Sequence, residues 1–254
     1  MNLFDSHAHY NDERFKEDLD TIIKENYTKG IIKTTCAGYN LNSTKQAIEI
    51  ANKYNYIYAT AGISPNDLSE KTLEELKEIE KLAQNEKVVA IGEIGLDYYW
   101  NKENKEFQKE VFIKQIEIAN KLNLPIVIHT RDAAVDTIDI LKNIKPCNKK
   151  GIFHCCPLNV ELIKEAVKLG YYISFSGVIT FKNAKPENAI KEVPLDKLLI
   201  ETDSPYLTPE PYRGKRNDPS KVEFVAKKIA EILDIDIEEL EQIVMENTMR
   251  IFGI

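Results

Sequence analysis

The run Pro125-Ile126-Val127-Ile128-His129 carries the reading of the chain: four residues without a polar side chain, then an imidazole. Consecutive β-branched apolar residues leave no polar alternate position. The strand they form is therefore buried on both faces, as in a parallel sheet, and not half-exposed as in a hairpin. Leu198-Leu199-Ile200 repeats the pattern and runs into Glu201-Thr202-Asp203. Working outward, runs of the same kind fall at 2–5, 30–36, 57–63, 88–93, 125–129, 151–154, 171–175 and 197–201, with starts 20 to 37 residues apart. That spacing accommodates a strand, a crossover helix and two loops per unit. Between the runs, apolar residues recur at three and four. Examples are Phe107, Val111, Ile118, Ala119 and Leu122, with the polar Gln115 among them, and Val222, Val225, Ala226, Ile229, Ala230 and Leu233. Both segments are predicted to be amphipathic helices, and Ile237, Leu240, Ile243 and Val244 mark a last one.

Eight βα units with no Gly/Ser-rich linker, low-complexity tract or shift of composition predict an α/β fold of the (β/α)8 TIM-barrel type, one domain spanning 1–254. A doubly wound open sheet is the competing architecture. It brings a glycine-rich phosphate turn after its first strand, whereas Asp5-Ser6-His7-Ala8-His9 holds no glycine.

Composition narrows the class. With 43% hydrophobic and 30% charged residues the chain can bury a large core, which excludes global disorder. The N-terminus lacks a basic and apolar leader, and no apolar run approaches the roughly 20 residues of a membrane span. The expectation is a soluble, cytoplasmic protein with no membrane partner. Cys36, Cys147, Cys155 and Cys156 show no CxxC spacing and are expected to be reduced thiols. A net charge of −7 argues against a broad nucleic-acid-binding face and leaves room only for a local basic patch.

The chain has four histidines, and each falls at the end of a predicted strand: His7 and His9 at the first, His129 at the fifth, His154 at the sixth. Two residues apart in extended backbone, His7 and His9 point to one side and can reach one ion. Glu93 and Asp203 end the fourth and eighth runs. In a barrel these positions share one rim, where the active site forms. Imidazole with carboxylate suits Zn²⁺, Mn²⁺, Fe²⁺ or Co²⁺, and six ligands suit two ions with a bridging carboxylate and water better than one tetrahedral ion. A two-metal hydrolase follows as the expectation. The alternative is that Glu93 and Asp203 cap loops or pair with Arg131 or Arg213.

Six segments in order, Asp5-Ser6-His7-Ala8-His9, Gly92-Glu93-Ile94-Gly95-Leu96-Asp97-Tyr98, His129-Thr130-Arg131-Asp132-Ala133, Ser174-Phe175-Ser176-Gly177, Glu201-Thr202-Asp203-Ser204-Pro205-Tyr206-Leu207 and Arg213-Gly214-Lys215-Arg216-Asn217, resemble the successive motifs of the TatD-type metal-dependent deoxyribonucleases. The likeness continues to Asn247-Thr248. It implies a barrel of the metal-dependent hydrolase (amidohydrolase-like) superfamily, two divalent ions such as Mg²⁺, Mn²⁺ or Zn²⁺, and phosphodiester hydrolysis of DNA, 3′–5′ or endo-acting, on single strands or ends. By motif matching, His7 and His9 bind a first metal with Asp203, Glu93 bridges, and His129 and His154 hold the second. Two loops depart from the family pattern. Ser64 of Gly62-Ile63-Ser64-Pro65 stands where the family usually has histidine, and His154-Cys155-Cys156-Pro157-Leu158 lacks the usual aromatic and glycine.

Asp203 is the candidate general base and Glu93 its catalytic partner. Glu201, on the same side of its strand but deeper, is expected to orient ligands, and Asp97 to cap a loop or accept a hydrogen bond. Arg213, Lys215 and Arg216 around Gly214 are candidate phosphate contacts, against the alternative of a loop tethered to Asp218 or Glu210. Tyr98, Tyr99 and Trp100 are candidates for base stacking, or for core packing or loop anchoring. Cys155 and Cys156 have no dedicated base and are not read as nucleophiles. Other readings are a metal-dependent ester or amide hydrolase such as a D-aminoacyl-tRNA deacylase, and a non-catalytic metal- or nucleic-acid-binding relative. A carbamylated-lysine hydrolase is disfavoured because the fourth run ends in Glu93. The expected assembly is a monomer.

Overall fold

Apolar runs that cannot face water on either side need neighbours on both edges and cover on both faces, and a barrel ringed by helices supplies all of these. In the computed structural model, which describes residues 2–254 and leaves Met1 outside the described residues, all eight strands lie in one parallel sheet in sequence order. The strands are β1 (Leu3–Ala8), β2 (Ile31–Cys36), β3 (Ile57–Ala61), β4 (Val88–Asp97), β5 (Ile126–Arg131), β6 (Ile152–Phe153), β7 (Tyr172–Phe175) and β8 (Leu198–Ile200). The helices are α1 (Leu19–Thr28), α2 (Leu41–Lys53), α3 (Thr72–Leu82), α4 (Lys105–Leu122), α5 (Ala134–Asp139), α6 (Val160–Lys168), α7 (Glu187–Lys191), α8 (Val222–Leu233) and α9 (Ile237–Phe252). Among the described residues no helix is long and apolar enough to cross a membrane, and all four cysteines are free.

The seam between β8 and β1 is laced partly by side chains. Ser6 Oγ donates to Ile200 O at 2.9 Å, and Asp5 accepts from Thr202 N at 2.9 Å and from Thr202 Oγ1 at 2.5 Å. Just above, Asp203 N donates to His7 O and His9 N to Ser204 O. The seam thus ties the two ends of the sheet together at the residues expected to hold a metal.

Two strands run further than their apolar stretches suggest. β1 continues through His7 to Ala8, with a register shift between Asp5 and Ala8. β4 continues past Glu93 to Asp97, pairing Gly95 with His129 and Asp97 with Arg131. The extension depends on glycine. Gly95 has φ +142°, and a Cβ there would stand 2.0 Å from His129 O, while one on Gly92 would stand 2.6 Å from Val127 Cβ. Any side chain at either position would push β5, and with it His129, away from Glu93.

Alternation sorts each strand into layers. Val127, Ile152 and Leu199 belong to an apolar cluster with Phe4, Val89, Ala90, Tyr172 and Phe252, against which Met245 and Met249 of α9 also pack. Two residues further along the chain stand His129 on β5 and, just past the ends of β6 and β8, His154 and Glu201; two beyond these come Arg131, at the end of β5, and Asp203, in the loop after β8. The barrel therefore has an apolar floor sealed by α9 and a polar mouth built from the same columns of side chains. Phe252 is 6% exposed at that floor. Phe252→Ala is expected to cost about 3–5 kcal/mol, seen as a lower urea midpoint with an unchanged slope. An unchanged midpoint would show that α9 does not seal the barrel.

Candidate metal centre

The six residues expected as ligands converge at the mouth. His7 Nε2 and His9 Nε2 face each other at 3.2 Å, as i, i+2 spacing at a strand end allows. Asp203 Oδ1 lies 3.1 Å from His9 Nε2 and 3.7 Å from His7 Nε2, and Glu93 Oε2 lies 3.5 and 3.9 Å from the His7 and His9 nitrogens. An ion holding four ligands tetrahedrally at about 2.1 Å spaces them about 3.4 Å apart, so these separations are those of one coordination shell. The other carboxylate oxygen of Glu93 faces a second set. Oε1 is 3.1 Å from His129 Nδ1 and 3.6 Å from His154 Nε2, and those nitrogens are 3.3 Å apart. Donor atoms of His7, His9 and Asp203, and of His7, Glu93 and His154, are near enough for each trio to share an ion.

The surroundings fit such ions. No Lys or Arg pairs with Glu93, Asp97, Glu201 or Asp203 among the described residues; their ionic partners are histidines alone. Buried carboxylates without a counter-cation are costly, and facing imidazole nitrogens need a proton or a cation between them. Burial opposes ionisation of Glu93, but the charge of His154 and hydrogen bonds from His129, His154 and His7 outweigh it and hold the carboxyl well below its usual range. Asp203 is likewise lowered against its burial, by His9 first and then by the charges of His7 and His154. Burial lowers His7, helped by the neighbouring His154. In His9 burial is outweighed by Asp203, and in His129 by Asp97 and Glu93, so both are raised.

Behind this layer two carboxylates fix ring orientation. Asp97 Oδ2 lies 2.9 Å from His129 Nε2, and Glu201 Oε1 lies 3.3 Å from His154 Nδ1 while accepting from Cys155 N at 2.7 Å. Each leaves the opposite ring nitrogen aimed at Glu93, the arrangement found behind metal-bound histidines. Asp97 meets both sequence expectations at once, since its Oδ1 also accepts from Tyr99 N and Trp100 N, each at 2.9 Å. Its carboxyl is held at about 2 despite burial, by His129 and the Trp100 amide. Neither Glu93 nor Asp203 caps a loop or pairs with Arg131 or Arg213.

A cleft of about 640 Å³ opens over the cluster, with Glu93, His9, His129, His154 and Asp203 in its lining. Both departures from the family pattern reach it, through Ser64, whose Oγ donates to Glu93 Oε1 at 3.4 Å, and through Pro157. Cys156 is buried, and burial raises the Cys155 thiol well above its ordinary value, so it is a poor nucleophile.

The substrate-side expectations fare differently. Tyr98 is a correction: its ring is buried beneath Lys105, its hydroxyl lies 2.7 Å from Asp136 Oδ2, and it does not line the cleft. Arg216 is another, because its guanidinium is engaged by Asp18 at 2.9 Å and by Arg14 O. The tethered-loop alternative holds for Arg216, with Asp18 as the anchor in place of Asp218 or Glu210. Arg213 stacks on Phe181 and Lys215 lies near Tyr212, and neither is among the residues lining the cleft. Among the residues lining it instead are Trp100, Arg131, Tyr39, Asn66, Asp67 and Tyr206. Arg131 was legible, since two residues beyond His129 is the same side of the strand.

Residues 4–253 match the family of TatD related DNases. The chain is 46% identical over 253 residues to the uncharacterized metal-dependent hydrolase YabD of Bacillus subtilis (strain 168), covering 99% of each chain. It is 38% identical to the uncharacterized metal-dependent hydrolase YcfH of Escherichia coli (strain K12), over 100% of this chain and 97% of that one. The crystal structure of YjjV, a TatD homolog from Escherichia coli K12, superposes with a TM-score of 0.92 at 26% identity, covering 99% and 98% of the two chains.

Asp97→Asn keeps the shape and removes the charge behind His129, and is expected to weaken binding of one Zn²⁺ or Mn²⁺ equivalent by about 10–100-fold. Because His9 and His129 are raised, protons compete with the ion from above the ordinary histidine pKa. Affinity should fall as pH is lowered, by about tenfold per pH unit for each proton displaced. Isothermal titration at pH 8 and pH 6 checks both, and affinity indifferent to the substitution and to pH would refute the ligand assignment.

Proposed function

The chain belongs to the family of TatD-related DNases, and from that premise we propose that it is a divalent-metal-dependent hydrolase that cleaves phosphodiester bonds in DNA by attack of an activated water. The observation that carries the proposal is the division of Glu93, with Oε2 among His7 and His9 and Oε1 between His129 and His154. One carboxylate touching two donor sets is what a pair of bridged ions needs. His7, His9 and Asp203 would hold one ion, His129 and His154 the other, and Glu93 both. Bound there, two divalent ions supply a water of lowered pKa and neutralise charge on the phosphoryl oxygens. Four imidazoles favour Mn²⁺ or Zn²⁺ over Mg²⁺, which prefers oxygen.

Asp203 is the proton acceptor. Its Oδ1 faces His9, its side chain is 15% exposed toward the cleft, and the neighbouring histidines keep its carboxylate ionised. Its backbone sits at φ +55°, unusual for a non-glycine residue and common at functional sites. The peptide N–H bond to His7 O holds that conformation against the first strand. Asp97 and Glu201 keep His129 and His154 in the tautomers that present a lone pair to the site.

DNA as substrate, as a single strand or an end, would meet a cleft of about 640 Å³ whose lining carries a single Lys or Arg, Arg131, in a chain of net charge −7. Affinity is expected to fall with salt by only about 0.7 log units per log salt for each single-strand phosphate contact. Labelled oligonucleotide incubated with Mn²⁺ or Zn²⁺ is expected to be cleaved by the wild type and at least about a hundredfold more slowly by Asp203→Ala and Glu93→Ala. Undiminished cleavage in both variants would sink the assignment. Metal-dependent release of the amino acid from aminoacyl-tRNA, with the oligonucleotide left intact, would move the function to ester hydrolysis.

A further inference from the structure

The only tryptophan of the chain, Trp100, is 66% exposed on a loop that is not loose. Gln108 of α4 is fully buried, accepts from Asp97 N, and donates to Asp97 O, Asn101 O and Asn104 Oδ1 at 2.8–3.0 Å. Asn101 Nδ2 adds a bond to Pro65 O. From the other side, Asp97 Oδ1 fixes the amides of Tyr99 and Trp100. An indole held in water by a pinned loop, at the edge of a cleft whose floor is a ring of metal-type donors, is a large apolar surface without a packing role. Beside it, the Arg131 guanidinium lies 3.8 Å from the Tyr99 ring centroid and 5.5 Å from that of Trp100. Tyr99 and Trp100 meet edge to face, with centroids 4.8 Å apart. Arg131 follows His129 by two residues on β5, which places it about 7 Å further up the same column. It has no carboxylate partner among the described residues.

From this geometry we infer that Trp100, Tyr99 and Arg131 form a nucleotide-binding platform, on which the base next to the scissile phosphate stacks against the Trp100 indole while Arg131 meets the neighbouring phosphate. The inference rests on the phosphodiester reading of the metal centre and adds the recognition of a base to it. Stacking is indifferent to sequence, because every base has a π-face, and the guanidinium, its own face on Tyr99, keeps its N–H edge for oxygen. Duplex DNA buries its base faces, so the platform selects single strands and frayed ends. Asp97 also couples recognition to the metal centre: one oxygen holds the platform loop and the other holds His129.

Because Trp100 is the sole tryptophan, its fluorescence reports this site alone. Stopped-flow mixing of metal-loaded enzyme with a single-stranded oligonucleotide is expected to quench that fluorescence before turnover, and an abasic deoxyribose-phosphate oligomer of equal length is expected not to. Trp100→Ala should raise KM for the base-bearing strand about tenfold, leave kcat within about twofold, and leave KM for the abasic strand unchanged, while Trp100→Phe restores most of the loss. Arg131→Ala should raise KM for both strands and flatten the salt dependence by about 0.7 log units per log salt. An unchanged urea midpoint for Trp100→Ala establishes that the fold is intact. Equal quenching by both strands, or an unchanged KM in Trp100→Ala, would overturn the platform and leave the nuclease reading standing. Base-dependent quenching without cleavage of either strand would support the platform and overturn the nuclease reading.

Discussion

Negative and lone-pair density converge at one point of this protein, and much of its architecture serves to hold it there. Four imidazoles, Glu93 and Asp203 bring donor atoms to within 3.1–3.9 Å of their neighbours in two sets that share Glu93, with no Lys or Arg side chain paired to the carboxylates among the described residues. The histidines offset the carboxylate charge, but burial opposes it and facing imidazole nitrogens still need a proton or a cation between them, so the fold must hold the groups together until an ion takes that place. The β1–β8 seam, the side-chain-free approach of β4 to β5 at Gly92 and Gly95, and the apolar floor under α9 each fix one side of the cluster. Asp97 and Glu201 then orient the rings from behind.

Much of this was legible in the sequence because two periodicities coincide. Unbroken apolar runs marked strands buried on both faces, and the polar residue ending each run marked the rim. The four histidines, Glu93 and Asp203 were found that way, and their place at strand ends is what the barrel requires of a shared site. Glu201 was also readable, as a residue in step with Asp203, and Asp97 as a loop cap or hydrogen-bond partner. What was not readable depended on loops. Three cations around Gly214 look alike in sequence, yet Arg216 is taken by Asp18, nearly two hundred residues away in the chain, and no local pattern announces that pairing. Tyr98, Tyr99 and Trp100 are adjacent and chemically similar, but the first turns under Lys105 and the third stands in water. Side-chain direction just beyond a strand end is set by the loop's anchors, here Gln108 and Asp97, and not by alternation.

Metal-type donors at the base of the cleft and a different set of side chains in its walls give the site a clear division of labour. The donor set determines the reaction class, as belonging to the TatD-related DNases suggests. The walls, including Ser64 against Glu93 and Pro157 at the cleft, determine what reaches it. A rigid aromatic loop tied to the metal centre through one carboxylate joins the two halves, so that substrate position and ligand geometry are not independent variables.

The central claim is that Glu93 joins two separate coordination sites. Anomalous diffraction from crystals equilibrated with Mn²⁺ or Zn²⁺ tests it directly. Two peaks are predicted, one among His7, His9 and Asp203 and one between His129 and His154, each within about 2.0–2.2 Å of a different oxygen of Glu93. A single peak, or two of which one does not touch Glu93, would contradict it.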